Sequence, residues 1–229
     1  VVNCAAVVSL PECESNILGA YLVNARFVSV ISALCREYKS TLVQISTDHY
    51  YSGDKDRRHG EGERSRFFNE YARTKFCGEQ FALQYENSLV IRTNIVGFRG
   101  KPDKPTFLEW AVLSLKNGEQ IKLFTDFYTS SIHTAQFAEI LYSLIKCDAR
   151  GLFNVASGDV FSKKQFILEL SKSLFNRSPP FLDASVKSLG THRAESLGLD
   201  CSRTEKLLGC KMPGLHSVIE SIKKEYESL

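Results

Sequence analysis

The chain has 229 residues, of which 43% are hydrophobic and 24% are charged, and its formal net charge is +3. This length and composition allow a buried core, either as one large domain or as a domain with a small lobe. The weak net charge, with basic residues scattered along the chain, gives no indication of nucleic-acid binding. Uninterrupted apolar runs are shorter than the roughly 18 residues of a membrane span, and the opening VVNC lacks the basic segment of a secretory signal.

Apolar runs and helical periodicities alternate along the first two thirds of the chain. The predicted elements are, in chain order, strand 1–4, helix 12–37, strand 42–46, helix 68–86, strand 88–93, helix 106–117, strand 121–124, helix 133–147 and strand 151–157. The strands are apolar without alternation, as a parallel sheet covered on both faces requires. We therefore predict an α/β fold, with a parallel sheet flanked by helices.

The last third of the chain has shorter predicted helices separated by turns. Ser162 begins one helix, Pro179-Pro180 breaks the chain, Ser202 and Glu205 form a predicted capping box, and Pro213-Gly214 precedes a final helix. This pattern predicts a small lobe appended to the sheet. We assign residues 1–95 and 132–157 to the sheet part, and residues 96–131 and 158–229 to the lobe.

The seven cysteines lie far apart and form no CxxC pair. Their spacing is typical neither of a zinc site nor of a small disulfide framework, and we expect no bound metal. Several fall at apolar positions of predicted helices. We interpret them as buried free thiols in a protein of the reducing cytoplasm.

The residues most informative about chemistry follow the second predicted strand. Ser46, Thr47 and Asp48 end that strand, and open α/β sheets bind their ligands at the carboxyl ends of strands. Tyr71 and Lys75 are four residues apart on the next helix, so their side chains share one face. An ammonium near a phenol lowers the phenol pKa from about 10, which suits Tyr71 to exchange a proton with a substrate oxygen. Thr47 would supply a second hydrogen bond to that oxygen.

A YxxxK spacing alone is weak evidence, because roughly 90% of such pairs are chance matches on helix surfaces. The context strengthens it here. The run LVQISTDHYYSG is followed by NEYARTKFCGEQ and then by LVIRTNIVGFRG, so that the next strand ends in Arg92-Thr93-Asn94. These three runs resemble the dTDP-4-dehydrorhamnose reductase family of extended short-chain dehydrogenases, and the tail ESLGLDCSRTEKLLGCKMP resembles that family's C-terminal segment.

The resemblance implies a Rossmann-like sheet, NADP or NAD as cofactor and a nucleotide-diphosphate sugar as substrate. The family's catalytic Thr–Tyr–Lys set falls on Thr47, Tyr71 and Lys75. The residues that it places beside the cofactor are Cys4, Ala5, Ala6, Asn24, Ser46, Tyr71, Lys75, Arg92, Thr93 and Asn94, with Asn24 supporting the catalytic lysine. Those that it places beside the substrate are Asp48, His49 and Arg193. A surface ion pair for Arg92 and a polar helix face for Asn24 remain open as alternatives.

Two departures from the family pattern stand out. The aromatic-Val-Phe-Asp that usually follows STD is replaced by His49-Tyr50-Tyr51-Ser52, which alters the wall beside the substrate. His49 is a candidate acid or base, although we favour a hydrogen-bonded structural histidine by roughly two to one. The Gly-rich turn that holds the pyrophosphate of a dinucleotide does not occur at the start of the chain, where Val1 corresponds to the family's fourth strand. We therefore expect residues 1–229 alone to bind NAD(P) very weakly and to self-associate.

Two hypotheses follow. The first is an NAD(P)-dependent reductase or epimerase of a nucleotide-diphosphate sugar in surface-polysaccharide synthesis. The second is a non-catalytic binding or regulatory subunit that keeps the fold. Reductases, epimerases and dehydratases share the Thr–Tyr–Lys set, so the set does not separate them. The pattern also leaves homo-oligomerisation open, and indicates neither a nucleic-acid nor a membrane partner.

Overall fold

A computed structural model describes residues 1–101, 103–189 and 193–229. Its strands are β1 Val2–Asn3, β2 Leu42–Ile45, β3 Ser88–Arg92, β4 Ile95–Val96, β5 Ile121–Phe124, β6 Tyr128–Thr129, β7 Ile132–His133, β8 Gly151–Asn154, β9 Phe161–Ser162, β10 Phe181–Ala184 and β11 Ser196–Leu197. Its α-helices are α1 Leu10–Ser15, α2 Ile17–Tyr21, α3 Phe27–Glu37, α4 Glu70–Leu83, α5 Phe107–Asn117, α6 Thr134–Lys146, α7 Lys163–Phe175, α8 Ser202–Leu208 and α9 Leu215–Ser228. A π-helical segment, Leu22–Arg26, joins α2 to α3, and a short 3₁₀ helix spans Val186–Ser188.

The main sheet has four parallel strands in the order β1-β2-β3-β8, so the predicted parallel α/β fold is confirmed. Every residue of β3 is buried, as is expected for a strand covered on both faces. Since all four strands point the same way, the segments after β1, β2 and β3 emerge at one edge of the sheet. That edge holds the candidate site.

The remaining strands form small sheets: β5 pairs with β10, β6 lies between β11 and β9, and β4 pairs with β7. One hydrophobic cluster joins α5, α7 and α9 and includes Leu108, Phe166 and Ile222. All of its members lie in the segments assigned above to the lobe. A second cluster, which includes Leu89 and Phe153, packs α6 against the main sheet.

The predicted helix over residues 12–37 is interrupted. The Asn16 side chain accepts a hydrogen bond from Gly19 N–H, which ends α1 and begins α2. The predicted Ser202–Glu205 capping box is wrong. Ser202 is already helical, and the Asp200 carboxylate accepts bonds from Ser202 N–H and from its hydroxyl instead.

The segment Ile17–Glu37 is 21 residues long and by length and composition alone could cross a membrane. The uninterrupted apolar runs considered above did not reveal this, because polar residues divide it. One face carries Val28 and Cys35 into a cluster with Leu42 and Ala82. Helices of soluble cores pass the same test, so this property does not assign the segment to a membrane.

The interpretation of the cysteines as buried thiols is correct for only part of them. All seven are free; Cys13, Cys35 and Cys201 are buried, whereas Cys4, Cys147 and Cys210 are exposed. Within the described ranges, no three His, Cys, Asp or Glu side chains come together as a metal site would require.

Gly78 allows α4 to approach the π-helical segment closely. A Cβ at this position would lie 2.1 Å from the Asn24 carbonyl oxygen, and the backbone bearing that oxygen has little freedom to move. Asn24 is itself fixed, because its side chain bonds both Val7 N–H and the Val7 carbonyl. Glycine is therefore required here by packing.

We expect Gly78→Ala to destabilise the protein by about 1–3 kcal/mol, the usual cost of overpacking, despite the better helix propensity of alanine. Urea unfolding measures the change. Gly62→Ala is the control, because a Cβ on Gly62 would meet no described atom within 4 Å. An increase in the stability of Gly78→Ala would show that the two backbones separate without cost.

Candidate functional site

A cleft of about 360 Å³ opens at the carboxyl ends of β1, β2 and β3. Its walls come from the segments that follow these three strands and from the first turns of α4. The lining residues are Cys4, Ala6, Val8, Ile45, Ser46, Thr47, Asp48, His49, Tyr71, Lys75, Thr93, Asn94 and Ile95. The structure therefore brings Thr47, Tyr71 and Lys75 into one cleft.

Helix α4 presents Tyr71 and Lys75 to this cleft. The Asn69 side chain accepts a hydrogen bond from Ala72 N–H and so fixes the start of the helix. The two side chains then lie one turn apart on the same face.

The Tyr71 phenol is protonated at neutral pH. Burial raises its pKa to about 12, a hydrogen bond with the Thr47 side chain lowers it, and the Asp48 charge raises it. The lowered phenol pKa predicted from the sequence is therefore wrong for this structure, because burial disfavours the phenolate more than its neighbours favour it. Tyr71 is in the form that donates a proton.

The Lys75 side chain lines the cleft. Its Nζ donates a hydrogen bond of 2.6 Å to the Ile45 carbonyl, the last of β2. Burial lowers the pKa of Lys75 to about 8, and the Glu79 and Cys4 charges act in the opposite direction. An ammonium has three N–H donors, so further donors remain for a ligand in the cleft.

Asp48 is a buried carboxyl group on the cleft wall. Asn94 Nδ2 donates to its Oδ2 at 2.7 Å, and Thr47 Oγ1 lies 3.5 Å from its Oδ1. Burial raises the pKa of Asp48 to about 7, although the hydrogen bond from Asn94 and the charge of Lys163 lower it. This carboxyl group therefore changes its protonation state near neutral pH.

His49 lines the cleft as a neutral ring. Burial lowers its pKa to about 4, with the charges of Arg193 and Lys163 acting in the same direction. Its ring packs edge-on against Tyr71, with centroids 5.4 Å apart. The hydrogen-bonded structural role favoured from the sequence does not hold for Nδ1, which is buried without a partner among the described residues.

Arg193 acts on the site through its charge and does not line the cleft. Its Nε is buried, and none of the described residues accepts a hydrogen bond from it. Burial lowers the pKa of Arg193. The charge of this guanidinium is close enough to His49 to lower the pKa of the ring.

Arg92 does not face the cleft, so its predicted cofactor contact is not found. Its guanidinium forms a buried ion pair with Glu79, with Nε 3.0 Å from Oε2 and Nη2 2.6 Å from Oε1. It also donates to the Tyr51 hydroxyl and lies over the Tyr50 ring. The alternative of a surface ion pair is wrong as well, because the pair is buried and ties β3 to α4.

The other residues predicted beside the cofactor divide into two groups. Cys4, Ala6, Ser46, Thr93 and Asn94 line the cleft, and Ser46 also donates to Glu79 at 2.9 Å. Ala5 and Asn24 do not line it. Asn24 Nδ2 donates to Thr74 Oγ1 at 3.1 Å, next to Lys75 in the chain.

Two residues of this site were missed from the sequence. Glu79 follows Lys75 by four residues and so lies on the same helix face, a spacing that could have revealed it. Lys163 comes from α7, with Nζ 4.2 Å from the centroid of the Phe107 ring and 5.7 Å from that of Phe127. No local spacing connects Lys163 with Asp48, so only the tertiary structure reveals it.

The chain was compared with known protein families and proteins. The family model described as RmlD substrate binding domain matches residues 1–227. The "probable low-salt glycan biosynthesis reductase" of Haloferax volcanii is 27% identical over 237 aligned positions, which cover 100% of this chain and 79% of the relative.

Solved structures of dTDP-4-dehydrorhamnose reductases are also similar to this chain. The crystal structure of a hypothetical dTDP-4-dehydrorhamnose reductase from Sulfolobus tokodaii superposes with a TM-score of 0.81 at 29% identity, covering 94% of this chain and 77% of the other. The dTDP-4-dehydrorhamnose reductase of Bacillus anthracis, solved in complex with NADP, has a TM-score of 0.87 at 23% identity and covers 98% of this chain and 79% of its own. At 23% identity, the similarity to the Bacillus anthracis structure shows that the two proteins share a fold.

Proposed function

Because this chain belongs to the RmlD substrate binding domain family, we propose that it carries the proton-donating and sugar-binding part of an NAD(P)-dependent reductase of nucleotide-diphosphate sugars. The proposal rests mainly on one observation: Thr47, Tyr71 and Lys75 line the same cleft at the strand ends. The similarity to a relative named as a glycan biosynthesis reductase supports a role in surface-polysaccharide synthesis.

The residues present fit a nicotinamide dinucleotide on the Lys75 side of the cleft. The ammonium is buried and faces the cleft with donors beyond the one used by the Ile45 carbonyl. When bound, the reduced cofactor would supply the hydride. Lys75 would then hold the ribose hydroxyls.

The chain's own residues would handle the proton. Tyr71, protonated at neutral pH, would give its hydroxyl proton to the oxygen of a sugar ketone as that oxygen gains charge. Thr47 would stabilise the same oxygen with a second hydrogen bond. A high phenol pKa suits the reductive direction, because it keeps the Tyr71 hydroxyl protonated and able to donate.

We propose that Asp48, His49 and Arg193 contact the nucleotide-diphosphate sugar. Asp48 and His49 line the cleft, and Arg193 and Lys163 bring positive charge close to His49. Such charge is complementary to a diphosphate. Residues 96–131 and 158–229 would form this sugar-binding lobe, and residues 1–95 and 132–157 the sheet part.

The test is a reductase assay of the full-length protein with NADPH or NADH and a dTDP-linked 4-keto sugar. We expect oxidation of the nicotinamide together with formation of the reduced sugar. Tight binding of both ligands without turnover would instead support the alternative of a non-catalytic subunit. Light scattering of the same sample would show whether the protein forms a homo-oligomer.

Lys75→Met should weaken binding of the cofactor. Losing a charged hydrogen bond costs about 1.5–3 kcal/mol, or roughly 10- to 150-fold in Kd. Calorimetric titration of the full-length protein with NADPH and with NADH measures this. Arg73→Met is the control, because Arg73 lies on the same helix with its side chain 62% exposed. An unchanged Kd in Lys75→Met would contradict the contact with the ribose.

A further inference from the structure

Two chain segments that are far apart in the sequence are held together by one carboxylate. The Ser52 hydroxyl donates to the Glu195 carboxylate and lies 2.8 Å from both of its oxygens, and Gly53 N–H donates to Oε1 at 2.8 Å. The two backbones also meet, because Ser196 N–H donates to the Tyr51 carbonyl at 3.3 Å. We call the contact of Ser52 and Gly53 with the Glu195 carboxylate the clasp.

The clasp lies close in the chain to two of the proposed substrate contacts. His49 precedes Ser52 by three residues, and Arg193 precedes Glu195 by two. Since two residues of chain span at most about 7 Å and three at most about 11 Å, neither residue lies far from the clasp. His49 lines the cleft. The clasp therefore ties the segment that carries Arg193 to the segment that forms the cleft wall.

The Glu195 carboxylate binds neutral donors. No ion pair within the described ranges includes Glu195 or Arg193, although the two residues are close in the chain. The oxygens of Glu195 bind Ser52 and Gly53 instead. The Arg193 guanidinium is therefore not neutralised by a carboxylate, and its charge is available to an anionic ligand.

Arg193 also has a buried donor that lacks an acceptor. Its Nε is buried, and no residue in the described part of the chain accepts a hydrogen bond from it. A buried N–H group without an acceptor costs free energy, so a ligand that places an oxygen there gains affinity. Phosphate oxygens fit best, because a guanidinium binds them through charge-assisted and often paired hydrogen bonds.

We propose that Glu195 is a positioning residue, which uses the clasp to hold Arg193 where its guanidinium binds the diphosphate of the nucleotide sugar. This inference rests on the proposed reductase function and adds to it the group that orders the substrate-binding arginine. Glu195 itself touches neither the substrate nor the reacting atoms. The clasp needs a hydrogen-bond donor at position 52, which serine provides and an ionised aspartate, the usual residue of the family pattern, does not.

The first test is the affinity of the full-length protein for dTDP, measured by calorimetric titration. Glu195→Ala should raise the Kd about 10-fold, within the range for residues that affect a ligand without touching it. The same substitution made in an Arg193→Met variant should leave the Kd of that variant unchanged, because Glu195 acts through the arginine. An equal increase with and without Arg193 would reduce Glu195 to a structural residue and overturn the proposal.

Steady-state kinetics gives a second readout. Glu195→Ala should raise KM for the nucleotide sugar and leave kcat and the Kd of NADPH unchanged, because the clasp orders only the diphosphate contact. Glu195→Gln keeps the side-chain length and an oxygen that accepts the Gly53 N–H, so it should recover most of the affinity. Ser52→Ala should weaken dTDP binding as well, and should add little to the effect of Glu195→Ala.

The matched control is Glu205→Ala on α8. The Glu205 carboxylate also accepts a backbone hydrogen bond, from Met212 N–H at 2.9 Å, and lies outside the cleft. Its loss should leave the Kd of dTDP unchanged. A wild-type protein that binds dTDP and a Glu195→Ala variant with the same Kd would overturn the proposal and leave the reductase function standing. A wild-type protein that binds no dTDP would refute the proposed function itself, and the role of Glu195 with it.

Discussion

Tyr71→Phe should lower kcat for nucleotide-sugar reduction by roughly 10²–10⁴-fold, the usual effect of removing one general acid. The substitution deletes the hydroxyl that bonds Thr47 and keeps the ring that packs edge-on against His49. We therefore expect the fold and the affinity for the cofactor to change little. Steady-state kinetics with the reduced cofactor in excess measures the loss.

The control for this substitution is Tyr142→Phe on α6, whose side chain is 62% exposed and lies outside the cleft. It should leave kcat unchanged. Wild-type turnover in Tyr71→Phe would exclude Tyr71 as the proton donor and would assign that role to another group, such as protonated Asp48.

Arg92→Leu should destabilise the protein by about 3–5 kcal/mol, the cost of leaving one partner of a buried ion pair without the other. The Glu79 carboxylate is fully buried and receives two of its hydrogen bonds from this guanidinium. Leucine would leave that charge without its counter-ion. Urea unfolding followed by circular dichroism measures the change in the free energy of unfolding.

The matched control is Arg73→Leu, which breaks the pair on α4 between Arg73, whose side chain is 62% exposed, and Glu70, whose side chain is 14% exposed. An ion pair at the protein surface contributes about 0–1 kcal/mol, so we expect a small effect. The double variant Arg92→Leu with Glu79→Met should recover part of the lost stability, because it removes both buried charges. A loss below 1 kcal/mol in Arg92→Leu would contradict the expected cost of breaking this buried pair.

The parts of the site that depend on spacing within one element were predictable. Tyr71 and Lys75 are four residues apart on one helix, and Thr47 and Asp48 come shortly after a buried strand. The periodicity of α4 and the direction of a parallel sheet therefore bring them to the same edge. The strand 121–124 was likewise found at its predicted bounds, because its short apolar run is clearly limited by polar turns.

The parts that depend on tertiary contacts were not predictable. Arg92 is the last residue of β3, and the next residue, Thr93, lines the cleft. The Arg92 side chain instead pairs with Glu79, because a buried guanidinium needs a carboxylate. The pKa of Tyr71 depends on burial, which the spacing to Lys75 does not reveal. Lys163 lies on α7, far from Asp48 in the chain, so its effect on the pKa of Asp48 is visible only in the folded structure.

Local capping also changed two predicted helices. Ser202 and Glu205 have the spacing of a capping box, but Asp200 stands two residues earlier and its carboxylate takes the Ser202 N–H. Asn16 has no apolar-periodicity signal, yet its side chain begins a new helix within the run predicted as one. In both cases a short polar side chain accepts a hydrogen bond from a backbone N–H and so sets where the helix begins, at a position that the surrounding sequence pattern does not predict.

The most direct test of the reductase assignment is to follow the hydride itself. The full-length protein would be incubated with a dTDP-linked 4-keto sugar and nicotinamide cofactor carrying deuterium on one face of C4, and then on the other. We predict that one of the two labelled cofactors places a single deuterium on the sugar carbon that carried the ketone, as seen by mass spectrometry and NMR. Binding of cofactor and sugar, with the sugar recovered unlabelled from both reactions, would contradict the assignment.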